Sequence, residues 1–385
     1  MTSSTERRAT SSAQAELRAD VERLAAIERP SASAGERDAA ERIAERMRDA
    51  GLDARVDEER VHPTFWWPIG LLNAAAVAAA ALPSRRARRA LALAAAAGLI
   101  DDVDQRRRLV RALLTKRTSW NVWGEHGDPG AETTIVVVAH HDAAHGGAVY
   151  DTRAIEAFAA RWPGLFDRIE RWPPVMWGVV IGPLLAAAGR RRAGALVSLG
   201  AIAAMADIAR SPVSPGANDN ASSVAALLQL ATRRFEGVRV ILLSTGSEES
   251  NADGMWAWME RHAARFPRES TVFVALETLG SGNLVVAEGE GFLVAHRFDA
   301  ELKDRATRAA ASRDIPVLRG LKNAFMSDAS VPLRKGYPTM LLGAIDEHKL
   351  PANYHKPWDT ADRIDYGCVE RAVDVLDTLI RDLAR

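Results

Sequence analysis

The sequence predicts an α/β fold: a mostly parallel mixed sheet flanked by helices, with two inserted hydrophobic helical hairpins. Three observations carry this. Continuous β-branched runs at 134–139 (TIVVVA), 238–244 (VRVILLS) and 271–276 (TVFVAL) have the pattern of strands buried on both faces. Segments of helical periodicity separate them, so strand and helix alternate from Trp120 onward. Alanine- and leucine-rich stretches, roughly 61–115 and 143–213, break that rhythm.

In chain order, residues 1–12 are polar and Ser/Thr-rich, which predicts a disordered tail and no cleaved secretory signal. Leu17, Val21 and Leu24 recur at helical spacing. Ser33-x-x-Glu36 reads as a capping box that opens a second helix, carried by Ile43 and Met47 and stopped by Gly51. A polar strand is expected at 54–61. Helices are expected at 221–235, 252–264 and 300–312, with a further strand at 339–343 (TMLLG). A closing helix carries Val369, Val373, Leu376, Ile380 and Leu383 on one face.

A chain of 385 residues accommodates one large domain with sizeable insertions. Lys plus Arg and Asp plus Glu both number 50, so nothing in the charge balance points to nucleic acid. Cys368 is the single cysteine, which excludes an intramolecular disulfide and a multi-cysteine metal site. Any bound metal must therefore be held by His, Asp and Glu.

The hydrophobic stretches contain charge-free runs at 61–84, 90–100, 172–189 and 193–206, paired around arginine clusters at Arg85–Arg89 and Arg190–Arg192. Crossing a bilayer takes about 20 apolar residues, so only the run at 61–84 is comfortably long enough. Trp66, Trp67, Trp172 and Trp177 stand near the run ends, as interfacial anchors do. Two readings stand: a soluble helical subdomain packed on itself, or membrane lipid contact through residues 64–100 and 173–209. A shallow hairpin bundle with snorkelling arginines would reconcile the basic loops with the basic domain side.

Chemistry-bearing residues cluster where strands end. His140-x-Asp142 follows TIVVVA directly, and a carboxylate so placed can orient a ligand imidazole. Asp219 sits in Pro-Gly-Ala-Asn-Asp-Asn-Ala-Ser, at the start of a helix. Glu248-Glu249 follow VRVILLS, and paired carboxylates at a buried strand end are costly unless cations neutralise them. Glu277 follows TVFVAL, and Tyr354-His355 lies between TMLLG and the last helix. Singly, each also reads as a surface turn, a helix cap or loop polarity. Together they fall along one edge of the expected sheet, where open α/β folds build their sites.

The order HxD, GxNDNAS, EE, an acidic residue and YHxPxDT resembles the M28 family of zinc peptidases, chiefly aminopeptidases, and their membrane-associated branch. The resemblance implies a zinc-exopeptidase-like domain formed by residues 13–60, 116–142 and 214–385, with 61–115 and 143–213 as insertions. It implies two Zn2+ ions: Asp219 bridging, Glu249 and His355 completing one site, His140 and Glu277 the other. Asp142 would sit behind His140, Glu248 would be the general base, and Tyr354 would help stabilise the oxyanion. His141 and His145 are at no motif position and are expected to be loop residues. Many members carry Asp where this chain has Glu277, which puts the geometry of that site in question. The implied partner is a peptide substrate. The competing reading is a relative that binds a partner or cyclises a substrate on the same scaffold.

Overall fold

The structure, a computed structural model, describes residues 4–172 and 175–385. Residues 1–3 of the expected tail and 173–174 of the expected lipid segment lie outside them. The elements are helices α1 (Ser4–Ala25) and α2 (Ala34–Asp49), strand β1 (Asp53–Val61), α3 (Trp66–Ala81), α4 (Arg85–Val103), β2 (Arg117–Gly127) and β3 (Thr134–His140). After them come α5 (Trp177–Ala187), α6 (Arg191–Arg210), α7 (Ser222–Ala231), β4 (Arg239–Thr245), α8 (Asp253–His262), β5 (Thr271–Glu277) and β6 (Asn283–Val286). The chain closes with α9 (Ala300–Ala311), β7 (Thr339–Ile345) and α10 (Tyr366–Leu383); short helices and a two-stranded ribbon of Gly289–Glu290 with His296–Arg297 fill the gaps.

The sheet runs β1-β2-β4-β3-β5-β7-β6. Its four central strands, β4, β3, β5 and β7, are parallel, while β1, β2 and β6 add antiparallel edges. β3 shows why the core strands are β-branched throughout. Ile135, Val137 and Ala139 face the layer of α1, α2, α7 and α10, and Val136 and Val138 face Met255, Trp258 and Phe266 on the other side. Both faces are dry, so both need apolar side chains.

α3, α4, α5 and α6 pack on one another beside this domain around Ile69, Leu99, Val103, Val180 and Ile208. α5 and α6 cross closely because Gly182 and Gly194 lack side chains. A Cβ on Gly182 would lie 2.3 Å from Ser198 Oγ, and one on Gly194 would lie 2.6 Å from the Ala186 nitrogen.

Three expectations need correction. α1 begins at Ser4, within the stretch expected as tail, and its Ala, Glu and Arg content favours helix over coil. Ser33 does cap α2 by accepting from the Glu36 nitrogen, but Glu36 does not return the bond to Ser33; its carboxylate turns inward. The run at 61–84 is helical only over Trp66–Ala81, because Leu82 turns extended before Pro83. Among the described residues, the helix long and apolar enough to cross a membrane is instead α6.

Candidate metal centre

The parallel strands deliver their C-terminal ends to one edge. β3 ends on His140, β5 ends on Glu277, and the loop after β4 carries Glu248 and Glu249. Asp219 arrives from a tight turn before α7 and His355 from the loop between β7 and α10. All five expected ligands and the expected base converge there.

Asp219 is central. Its Oδ1 lies 3.3 Å from His140 Nε2 and its Oδ2 lies 3.3 Å from His355 Nε2. Glu249 Oε2 is 3.3 Å from His355 Nε2, whereas Glu277 and Glu248 approach His140 Nε2 at 3.7 and 3.8 Å. Asp219 thus serves both histidines, with Glu249 beside His355 and both Glu277 and Glu248 beside His140. The Asp219 Oδ2 and His355 Nε2 atoms are buried without a hydrogen-bond partner. Buried polar atoms are rarely left so, and a cation between them would satisfy both.

The electrostatics point the same way. Burial drives the Glu248 carboxyl well above the usual range, opposed by His140 and reinforced by Glu249 and Glu277. Burial likewise pushes Glu277 up to about 6 and raises Glu249. Four carboxylates in one dry pocket repel one another, and divalent cations remove that cost. The donor set, imidazole and carboxylate without thiolate, suits zinc.

The surrounding residues orient this set. His140 Nδ1–H donates to the Asp142 carbonyl at 3.2 Å, which leaves Nε2 as the lone-pair atom facing the site. The Asp142 carboxylate accepts from the Glu248 and Glu249 nitrogens at 3.0 and 3.1 Å, and from Ser31 Oγ at 2.6 Å. Asn218 and Asn220 flank Asp219 and lock its turn to the neighbouring loops. Asn220 bonds Leu276 O and the Thr278 nitrogen around Glu277, and Asn218 bonds Ala352 O and the Gly280 nitrogen. Ser247, Thr278 and His355 all hold positive φ, between 50° and 55°. Such backbone costs about 1–3 kcal/mol per residue and persists where its surroundings enforce it.

Several residues that position the site were not read in that role from the sequence. Arg29 is fully buried and donates to His141 O, Pro215 O and Gly216 O, tying the His140 loop to the Asp219 turn. Burial lowers its pKa to about 10, so it stays charged at neutral pH. Glu36 accepts from the Ser247 nitrogen and hydroxyl, the Trp120 nitrogen and Ser119 Oγ, and so holds the turn into Glu248. The Asp359 carboxylate accepts from the Asn218 and Asp219 nitrogens; its place in the YHKPWDT motif was the available clue. Tyr354 stacks on His355 at 3.8 Å, and Tyr150 meets the same ring edge-on at 4.3 Å. His141 and His145 lie in the loop after β3, as expected, and both are tied down. His141 is buried and pairs with Ser244 Oγ, with burial lowering its pKa to about 3, and His145 binds Ser211 O.

Residues 201–380 match the family model of peptidase family M28. The matched segment contains Asp219, Glu248, Glu249, Glu277 and His355; His140 and Asp142 precede it. It begins inside α6, upstream of the boundary expected at 214. The likeness of fold extends further. A zinc aminopeptidase from Bacillus subtilis superposes with a TM-score of 0.56 at 14% identity, covering 96% of this chain and 94% of that one. A glutaminyl cyclase from Bacteroides thetaiotaomicron gives 0.58 at 13%, covering 97% of each. The protein YfbL of Escherichia coli (strain K12) is 28% identical over 193 residues, 43% of this chain and 59% of that protein's length.

Proposed function

We propose that this chain is a two-zinc metallopeptidase acting as an aminopeptidase, with His140, Asp219, Glu249, Glu277 and His355 as ligands. The observation that carries the reading is Asp219 presenting one oxygen to each histidine at 3.3 Å, the arrangement a bridging carboxylate needs. The aminopeptidase likeness of the fold supports the substrate class. Zinc bound there would supply Lewis acidity toward the scissile carbonyl and the attacking water.

The remaining work falls to side chains of this chain. Glu248 takes the proton of the attacking water and passes it to the leaving amine. Its burial raises its proton affinity toward the range a general base requires. Asp142 fixes the Glu248 backbone and the His140 tautomer together. Tyr354 lines the pocket beside Glu248 and Asp219, where its phenol can donate to the developing oxyanion.

Membrane lipid contact completes the reading. Trp67, Leu71, Leu93, Leu196 and Leu199 are exposed on the outer faces of α3, α4 and α6. Arg191 donates to Ala80 O, so both arginine-rich turns sit at one end of the four-helix cluster. α5, at 11 residues, is only about 16 Å long, too short for a hydrocarbon core of about 30 Å. A bundle lying in the interface, with arginines among the headgroups, fits these lengths.

The test is a scan of aminoacyl anilides, dipeptides and an N-terminal glutaminyl peptide, with and without chelator. Chelator-sensitive release of N-terminal residues is expected, and Glu248→Gln should retain zinc while losing at least about 100-fold in rate. Near-normal turnover by that variant would sink the base assignment. Cyclisation of the glutaminyl peptide without hydrolysis of the others would replace the peptidase reading.

A further inference from the structure

Two cavities share Glu249. One is the metal centre itself, about 20 Å³, bounded by Phe325, Met326 and Pro351. The other holds about 120 Å³ between the Ala143–His145 loop and the start of α3, with Phe65 and Trp66 as its aromatic wall. No ligand, base or oxyanion role accounts for this second space. Its wall comes from the hydrophobic hairpin, whereas its floor continues directly from Asp142.

The cleft is built rather than incidental. Trp66 packs edge-on against His145 at 5.0 Å and Phe65 edge-on against Trp66 at 5.6 Å. His145 Nδ1–H donates to Ser211 O at 2.8 Å, and the Ser214 nitrogen donates to Ala144 O at 2.8 Å. The floor is thereby pinned to the segment that leads into Asp219. An apolar cavity of about 150 Å³ accepts a benzene ring. The 120 Å³ space is smaller, and Ser31, Ser33, Thr64 and Arg117 share its lining with Phe65 and Trp66, so it suits one branched aliphatic side chain laid against the aromatic wall.

We infer that this cleft is a substrate subsite, which takes the apolar side chain of a residue flanking the scissile bond. The inference rests on the peptidase reading above. Successive residues of a peptide lie about 3.8 Å apart, so a chain held at the metal centre carries its neighbouring side chain past Glu249. The hairpin then does more than sit beside the domain: it supplies part of the specificity.

The experiment compares the full-length protein with its Trp66→Ala variant on Ala-Ala, Leu-Ala, Ala-Leu and Leu-Leu. The wild type should prefer Leu over Ala by about tenfold at the position served by the cleft. Trp66→Ala should reduce that ratio at least about fivefold at this position and leave the ratio at the other position unchanged. A second variant, Ala144→Leu, fills the cleft without touching Trp66 and should reverse the preference toward Ala at the same position. Equal changes on all four dipeptides in both variants, or a wild type indifferent to Leu at both positions, would overturn the subsite. If the wild type cleaves none of the four, the peptidase reading fails separately, and calorimetric binding of intact Leu-Leu against Ala-Ala decides the cleft. Tighter Leu-Leu binding that Trp66→Ala abolishes supports it; equal or absent binding of both dipeptides overturns it.

Discussion

Asp219 is held by its backbone through Asp359 and by its neighbours through Asn218 and Asn220, so its two oxygens are aimed before any ligand arrives. A run of Asp and Asn before a helix ordinarily means an N-cap, and here the same residue types instead staple three loops together. This is why the motif was visible in the sequence while its mechanics were not: the partners Leu276, Thr278 and Ala352 lie far away along the chain. Glu36 shows the opposite failure. Its spacing from Ser33 satisfied a local rule, but only the fold shows its carboxylate reaching Ser247. A testable consequence at this scale concerns Glu290, which is buried and accepts from the Ser327 nitrogen and hydroxyl. Burial pushes its carboxyl up to about 8. In the unfolded chain it ionises near about 4.3, so between these values the folded state binds the extra proton. Its contribution is fully present below the unfolded value and is lost as pH rises toward 8. Glu290→Gln should therefore gain in melting temperature relative to wild type between pH 5 and pH 8; parallel melting curves across that range would count against it.

At the scale of elements, the end of α4 grips the loop that follows Glu248 and Glu249. Arg111 makes a bidentate pair with Asp102 at 2.9 and 3.1 Å, and also donates to Ser250 O. Asn251 donates to Asp102 O, and Gln105 donates back to Asn251. Both members of the Arg111–Asp102 pair are nearly inaccessible, so removing one leaves a buried charge alone. Arg111→Ala should cost about 3–5 kcal/mol in denaturant unfolding, and much less in an Asp102→Asn background. Additive losses would show that the pair does not act as a unit. The strands that the sequence made legible are those whose residues are apolar on both faces. β2 went unnoticed as an individual strand because it mixes Ser, Asn, Glu and His with Trp and Val, and β6 because it has only four residues. α3 was overestimated as a span because absence of charge is not continuity of helix.

For the whole molecule, the parallel core and the gathering of ligands at its C-terminal edge were legible from strand pattern and motif order together. The joining of hairpin to site was not, because Trp66 read as an interfacial anchor rather than a partner of His145, and Tyr150 gave no signal apart from its position in the fold. The exposed apolar faces of α3, α4 and α6 lead to a measurable expectation. The full-length protein should co-sediment with vesicles containing anionic lipid, and Leu71→Gln with Leu196→Gln and Leu199→Gln should reduce the bound fraction several-fold. Equal sedimentation of the wild type and this triple variant would mean that the helices cover something other than lipid.

Everything turns on whether Asp219 is shared between two ions. Zinc quantification on the full-length protein, after removal of loosely held metal, addresses this directly. Two zinc ions per chain are predicted, falling to one or none in Asp219→Ala alongside loss of chelator-sensitive peptide hydrolysis. A wild-type protein that binds no zinc, or an Asp219→Ala variant that keeps both ions, would contradict the proposed metal centre.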